Sequence, residues 1–228
     1  MYKFETHLHT NNCSACGLSS PEEMIDSAVA HGYSGIVITN HFYHGNTCVD
    51  RNLPWEEFVG AYQKDYEQAK AYGKKKGIQV FFGLEEGFAP GKEMLIYGLT
   101  PKDLINCPEF IMMSAKEKSD FVRKCGGVCI CAHPFRDRDY IPNPDKAPDP
   151  DLFDGIEVYN HCNKVEENNK ALAFALENKK FFISGSDTHN KENFGNAGIA
   201  FSRKIRDYSD FVERLKKGDY TLIHPDID

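Results

Sequence analysis

At 228 residues the chain is long enough for one large domain or two small ones, with a sizeable core. Hydrophobic residues at 41% and charged residues at 27% are ordinary globular values and exclude collagen-like, coiled-coil and low-complexity classes. A formal net charge of −7 argues against long nucleic acid or an anionic membrane as the main partner, while leaving room for a local basic pocket that grips a phosphate. No apolar run reaches the length of a membrane span, and Met1-Tyr2-Lys3-Phe4-Glu5-Thr6-His7 puts an acid and a histidine where a signal peptide needs apolar residues. A cytoplasmic protein is expected, its eight cysteines serving as reduced core thiols or metal ligands.

In chain order, a strand over 2–8 carries His7-Leu8-His9 at its end, followed by a helix over 21–32 opened by Ser20, Pro21 and Glu22-Glu23. A strand over 35–39 leads to Asn40-His41. A helix over 55–76 ends on Lys74-Lys75-Lys76 and Gly77, with charge and glycine both placed to stop it. Strands follow at 78–85, ending on Glu85, and at 93–98; a helix covers 115–125, and a strand at 128–132 runs into His133. Five prolines between 134 and 150 forbid a long helix and predict an ordered loop that covers substrate. A strand over 154–159 precedes His161, a helix covers 164–178, a strand over 182–187 carries Asp187 and leads to His189, and a helix covers 207–217. Alternating strands and helices predict an α/β fold with a parallel sheet, and the absence of any compositional break predicts a single domain over 1–228.

In such folds reactive residues gather where strands end and βα loops begin. Six of the nine histidines fall there: His7, His9, His41, His133, His161 and His189. Period-two alternation sends the rings of His7 and His9 to one face and Leu8 to the other, an arrangement that can chelate an ion. Glu85 and Glu86 point oppositely, so one of them joins the cluster, and the strand-end position favours Glu85 as a carboxylate able to bridge two ions. These N and O donors suit zinc, manganese or iron without singling one out.

The ordered set Thr6-His7-Leu8-His9-Thr10, Gly32 to His41, Gly83-Leu84-Glu85, Ala132-His133-Pro134, Glu157-Val158-Tyr159-Asn160 and Gly185-Ser186-Asp187-Thr188-His189 resembles the motifs of the PHP (polymerase and histidinol phosphatase) family of metal-dependent phosphoesterases. The resemblance spans residues 6 to 189 and implies a distorted seven-stranded (β/α) barrel holding two or three divalent transition-metal ions and hydrolysing phosphate esters. It implies one ion held by His7, His9, Glu85 and Asp187, a second by Glu85 and His133, and a third by His41 and His189. Three positions depart from the family pattern. Asn40 stands where the family has Asp, which keeps an acceptor but loses a charge. The stretch after His9 offers no Asp or His, leaving Cys16, ahead of Cys13, as a thiolate substitute. Leu95 stands near a family histidine, with Glu93 as its replacement two residues away on the same strand face.

Arg136 and Arg138 occupy the place where family members often carry a phosphate-gripping arginine, and a guanidinium matches two phosphate oxygens. The competing reading for both is a solvated charge run. His161 is either a pocket acid in the catalytic step or a surface residue at a helix start. The expected partner is a small phosphorylated substrate, a nucleotide among the candidates. Two rival functions are an amidohydrolase-type C–N hydrolase, which needs a lysine at a middle strand end where this chain has Glu85, and a non-catalytic metal-binding scaffold.

Overall fold

In the computed structural model, which describes residues 1–225, all seven predicted strands form within a few residues of their expected bounds. They are β1 (Tyr2–Glu5), β2 (Tyr33–Ile38), β3 (Gln79–Ala89), β4 (Lys92–Tyr97), β5 (Val128–Ala132), β6 (Gly155–Asn160) and β7 (Phe181–Gly185). Two further strands, β8 (Gly198–Phe201) and β9 (Thr221–Ile223), join them in one nine-stranded sheet of order β7-β6-β5-β4-β3-β2-β1-β8-β9. The expected seven-stranded barrel is therefore exceeded by two strands of four and three residues, each too short to give a periodic signal.

The sheet is also not parallel throughout. β4 runs antiparallel to both β3 and β5, and β8 runs antiparallel to β1 and β9. The cause at β4 is the two-residue connection Pro90-Gly91, with Gly91 at φ 68°: it is too short for a crossover and can only close a hairpin. The sheet curls into a nearly closed barrel. At one rim Leu8 bridges Thr188 and the His9 N–H donates to Thr188 O at 2.9 Å, so the chain beyond β1 meets the chain beyond β7. At the opposite end β8 and β9 wedge between them, tied to β7 by Ser184 Oγ donating to Ile223 O at 2.6 Å and the Tyr220 hydroxyl donating to Phe182 O at 2.6 Å.

The helices are α1 (Pro21–Ala30), α2 (Trp55–Tyr62), α3 (Lys64–Lys76), α4 (Pro101–Ile105), α5 (Ala115–Lys124), α6 (Val165–Glu177) and α7 (Tyr208–Lys217). Ser20 caps α1 by accepting from Glu23 N, and Glu23 Oε2 accepts from Ser20 N at 3.0 Å, a reciprocal capping box. The helix expected over 55–76 is divided at Gln63 into α2 and α3. The short α4 was not predicted, although Thr100 and Asp103 form the same kind of capping box. Phe4, Leu95, Tyr97 and Ile130 fill the barrel below the rim and α7 plugs it with Phe211 and Leu215. Outside, Leu8 packs with Met24 and Ile25 of α1, and Phe42, Phe58 and Phe110 anchor the opposite layer. Among the described residues no helix is long and apolar enough to cross a membrane.

Candidate metal centre

Beyond Glu5 the alternation of β1 continues, so the rings of His7 and His9 enter the barrel 5.2 Å apart while Leu8 packs outward. Glu85, inward-facing on β3, is the hub. Its Oε1 lies 3.2 Å from His7 Nε2 and 2.9 Å from His133 Nε2, and its Oε2 lies 3.3 Å from His9 Nε2 and 2.9 Å from His41 Nδ1. Asp187 Oδ1 lies 3.3 Å from His7 Nε2 and 3.2 Å from His9 Nε2. Because β4 is antiparallel, its beginning lies at this rim, and Glu93, paired with Ala132, sits 3.3 Å from His41 Nδ1 and 3.6 Å from His133 Nε2. His189 stacks on His9 with centroids 4.3 Å apart, and Cys16 lines the same cleft as His189 and His41. Cys13 is not part of this group: it is buried and its thiol donates to Tyr62 O at 3.4 Å.

The donor set fits divalent ions. His7 Nε2, His9 Nε2, His41 Nδ1 and Glu85 Oε2 are all buried without a hydrogen-bond partner, although each has an opposing donor or acceptor close by. Leaving four such atoms unpaired is costly unless something else satisfies them. Two donors each about 2.1 Å from one ion must stand roughly 3 Å apart, which is the spacing found here. The set of imidazoles and carboxylates suits zinc, manganese or iron, and the Cys16 thiolate adds a softer donor at the edge.

Electrostatics follow from burial and crowding. Burial opposes charge on His7, but Asp187, Glu157 and Glu85 outweigh it and hold the imidazole well above its usual range. His41 is likewise raised, against burial, by Glu85 and Cys16. Burial, with His41 and His189 beside it, pushes His9 well below its usual value. Glu85 and Asp187 are held low despite burial, Glu85 by His7 and His41, and Asp187 by His7 and Arg136. Burial works against a Cys16 thiolate, but hydrogen bonds from His189 and His41 prevail and pull the thiol down to about 6.

The backbone is strained where two of these side chains are aimed. His133 and Asp187 have φ of 30° and 53°, in the left-handed region that non-glycine residues seldom enter. His133 directly follows β5 and Asp187 lies two residues beyond β7, and in each the turn swings the side chain into the barrel mouth. Gly185 leaves room for this: a Cβ there would lie 2.5 Å from His7 Cβ and 2.6 Å from Glu157 Oε1.

Residues not assigned from the sequence brace the cluster. Glu157, within the quoted Glu157-Val158-Tyr159-Asn160 motif, places Oε1 2.8 Å from His7 Nδ1 and accepts from His133 N at 3.0 Å through Oε2. Such a carboxylate orients the ring and leaves the other nitrogen for an ion. Glu5 Oε1 gathers three backbone donors, Thr6 N and His7 N at 2.9 Å and Ser186 N at 3.0 Å, tying β1 to the Asp187 turn. Burial pushes its carboxyl up to about 7. The opposed glutamate, Glu86, is buried on the outer face and pairs with Lys118 of α5 and with His44.

Arg136 ion-pairs with Asp187 Oδ2 and donates to Asn160 Oδ1 at 3.1 Å and Asn163 Oδ1 at 3.0 Å. It shares a cleft of about 460 Å³ with Cys16, His41, Glu93, Asp187 and His189. Two of the candidate residues lie away from the cluster, in line with the alternative reading of each. Arg138 points to the start of α6, donating to Glu167 Oε1 at 2.9 Å and Cys162 O at 2.8 Å, because a buried carboxylate there holds it more firmly than the cleft. His161 turns away after β6, its Nδ1 3.3 Å from the Tyr159 hydroxyl, and among the described residues no member of the cluster is within hydrogen-bond reach of its ring.

The family model described as PHP-associated matches residues 165–220, from α6 through α7. No curated protein matches the chain. Among solved structures, a two-domain protein from Bacteroides vulgatus containing a predicted PHP-like metal-dependent phosphoesterase superposes with a TM-score of 0.71 at 18% identity, over 98% of this chain and 64% of that one. An amidohydrolase from Chromobacterium violaceum superposes with a TM-score of 0.58 at 15% identity, over 85% of this chain and 90% of that one. The lesion-specific endonuclease PfuEndoQ from Pyrococcus furiosus gives 0.62 at 11% identity, over 97% of this chain and 57% of that one. At these identities the likeness is one of fold. The resemblance to the PHP family read from the sequence is thus matched by a family model and by an α/β barrel of PHP type.

Proposed function

We propose that this chain, with its PHP-associated segment and PHP-type barrel, is a metal-dependent hydrolase of phosphate esters acting as a single domain on a small phosphorylated substrate. The observation that carries the reading is the set of buried, unpartnered donors converging on Glu85 in the same cleft as Arg136. His7, His9, Glu85 and Asp187 would hold one ion, Glu85 and His133 a second, and His41, His189, Cys16 and Glu93 a third. Ions bound there supply Lewis-acid polarisation of a phosphoryl oxygen and a bound water acidic enough to attack near neutral pH. Arg136 supplies a fixed planar cation for the remaining phosphate oxygens, its orientation set by Asn160 and Asn163. Glu157 keeps the His7 ring from turning and Glu5 keeps the Asp187 turn against β1, so the donors are in place before substrate arrives.

Support for phosphate over amide substrates lies in the residues at the rim. The position where a C–N hydrolase needs lysine holds Glu85, and buried Lys92 and Lys118 are committed to Pro134 O and to Glu86. The acidic net charge favours a small ester over a long polymer. The test is elemental analysis of the protein after reconstitution with zinc, manganese or iron, together with a panel of phosphomonoesters, phosphodiesters and amides. Two or more metal equivalents and turnover of esters alone are expected. Turnover of amides alone would establish the C–N hydrolase, and metal binding with no turnover would establish a scaffold.

A further inference from the structure

The hydrogen-bond network behind His9 runs away from the cleft and ends on a carboxylate. Asp65, on α3, is 2% exposed. Its Oδ2 accepts from the Thr10 hydroxyl at 2.6 Å, and its Oδ1 accepts from the Asn12 amide at 2.8 Å. The Asn40 amide nitrogen donates to Thr10 Oγ1 at 2.7 Å and lies 3.5 Å from Asp65 Oδ2. Asn40 Oδ1 accepts from Thr10 N at 2.7 Å and from the Ser14 hydroxyl at 3.0 Å. Ser14 Oγ in turn lies 3.0 Å from His9 Nδ1 and accepts from His41 N at 3.0 Å.

This chain of bonds has one consistent direction. A carboxylate only accepts, so Asp65 takes the single hydroxyl hydrogen of Thr10 and leaves Thr10 Oγ1 as an acceptor. Thr10 Oγ1 then accepts from the Asn40 NH₂ while Thr10 N donates to Asn40 Oδ1, and the two contacts together aim the Asn40 oxygen at Ser14. Ser14 gives its one hydrogen to that oxygen, so toward His9 it can only accept. His9 therefore carries its proton on Nδ1, and its Nε2 lone pair faces the Glu85 and Asp187 carboxylates, where that atom is buried and unpartnered. The same Ser14 oxygen fixes the His41 backbone.

We infer that Asp65, outside the ligand set, is a positioning residue: acting through Thr10, Asn40 and Ser14, it sets the tautomer of His9 that presents Nε2 to a metal ion. The inference rests on the reading of His9 as a ligand. Asp65→Asn replaces a pure acceptor with a group that can donate to Thr10 Oγ1, which turns the Thr10 hydroxyl hydrogen against the Asn40 NH₂; this opposes the hold of Thr10 N on Asn40 Oδ1, loosens the amide and lets Ser14 donate to His9 Nδ1.

The experiment reads the His9 ring by two-bond ¹H–¹⁵N correlation in the metal-free protein and zinc affinity by competitive titration. The parent is expected to show the Nδ1–H tautomer. Asp65→Asn should populate the Nε2–H tautomer and weaken zinc binding about ten- to a hundredfold, as loss of groups supporting a ligand does. The double variant Asn40→Asp/Asp65→Asn returns a pure acceptor to the chain and should restore both the tautomer and the affinity to near the parent values. Asp65→Asn keeping the Nδ1–H tautomer overturns the inference, as does a double variant that melts like the parent yet fails to restore it. If Asp65→Asn does not fold, Thr10→Val cuts the same relay with the charge kept, and an unchanged tautomer there overturns it equally. A parent that binds no zinc while its tautomer still switches as described removes the ligand reading and leaves the positioning role standing.

Discussion

Cys16 shares its cleft with His189 and His41, which pull its thiol down where burial pushes the other thiols up, and its chemistry can be followed without any substrate. In the metal-free protein its alkylation by iodoacetamide should rise with pH through a midpoint near 6. Burial pushes Cys48, Cys125 and Cys162 the other way, so these cysteines serve as internal controls whose midpoints lie above 9.0. Peptide mass spectrometry would read each site, and a Cys16 midpoint among the controls would refute the thiolate. Zinc loading should block Cys16, and Cys16→Ser should lose about one metal equivalent if the thiolate holds the third ion. Arg136 tests the other side of the cleft. Removing its charge-assisted contacts should cost about 1.5–3 kcal/mol in kcat/KM for a phosphate ester. Arg136→Lys should recover little of this, because an ammonium cannot reproduce the fork held by Asn160 and Asn163. Parent-like kinetics in Arg136→Ala would confine the guanidinium to partnering Asp187.

The segment after β5 shows how an element without regular structure is held in place. Lys92, buried at the start of β4, donates to Pro134 O at 2.6 Å and to Pro144 O at 3.0 Å, pinning the proline-rich loop at two points. Ile141 is buried against Gly91 of the β3–β4 turn. Lys92→Met should keep the apolar stem but strand two carbonyls, each worth about 1–3 kcal/mol when left unpaired. Opening the loop lets water satisfy both carbonyls without unfolding the barrel, so the expected result is faster proteolysis within residues 134–150 at a nearly unchanged melting temperature; equal cleavage rates in variant and parent would show that the pin is dispensable. The five prolines made this loop legible in advance, since proline excludes a helix whatever surrounds it. The tight hairpin beside it was not read, because the first strand was expected to stop at Glu85, whereas β3 runs on to Ala89 and leaves only Pro90-Gly91 before β4.

For the whole molecule, the crowded rim couples stability to both metal and pH. In the metal-free protein Glu85 and Asp187 are held below their ordinary values of 4.5 and 3.8, so their contribution is present above those values and is lost as acid takes the pH down through the depressed ones. His7 and His41 are raised above 6.5, so theirs is fully present below that pH and lost as the pH climbs through the raised values. The metal-free fold should accordingly be best served by its cluster between about pH 4.5 and 6.5. An ion must displace those imidazole protons, so its binding should release protons and tighten with rising pH. Saturation at about 100 times the dissociation constant should raise the melting temperature by roughly 5–10 °C, reversed by a chelator. Calorimetry at pH 6 and pH 8 would check both points, and a melting temperature indifferent to metal at pH 8 would argue against a structural contribution from the centre.

The sequence alone determined the seven main strands, the alternation that turns His7 and His9 inward with Leu8 outward, and the placing of His41, His133, Asp187 and His189 just beyond strand ends; Glu85, expected to end its strand, lies inside β3, which runs on to Ala89. Each of these is a local property: neighbouring residues set periodicity, and a strand's last residues reach the rim wherever the strand lies. The tertiary structure alone decided which candidates meet. Glu93 joins the cluster because β4 is antiparallel, Arg138 is drawn off by Glu167 and His161 by Tyr159, and Asp65 reaches Thr10 across 55 residues of chain. Those outcomes depend on strand direction, on the break at Gln63 between α2 and α3 and on competition among distant side chains for one partner. None of these is encoded in the spacing of adjacent residues, because each is settled only when the sheet closes and brings remote segments within hydrogen-bond reach.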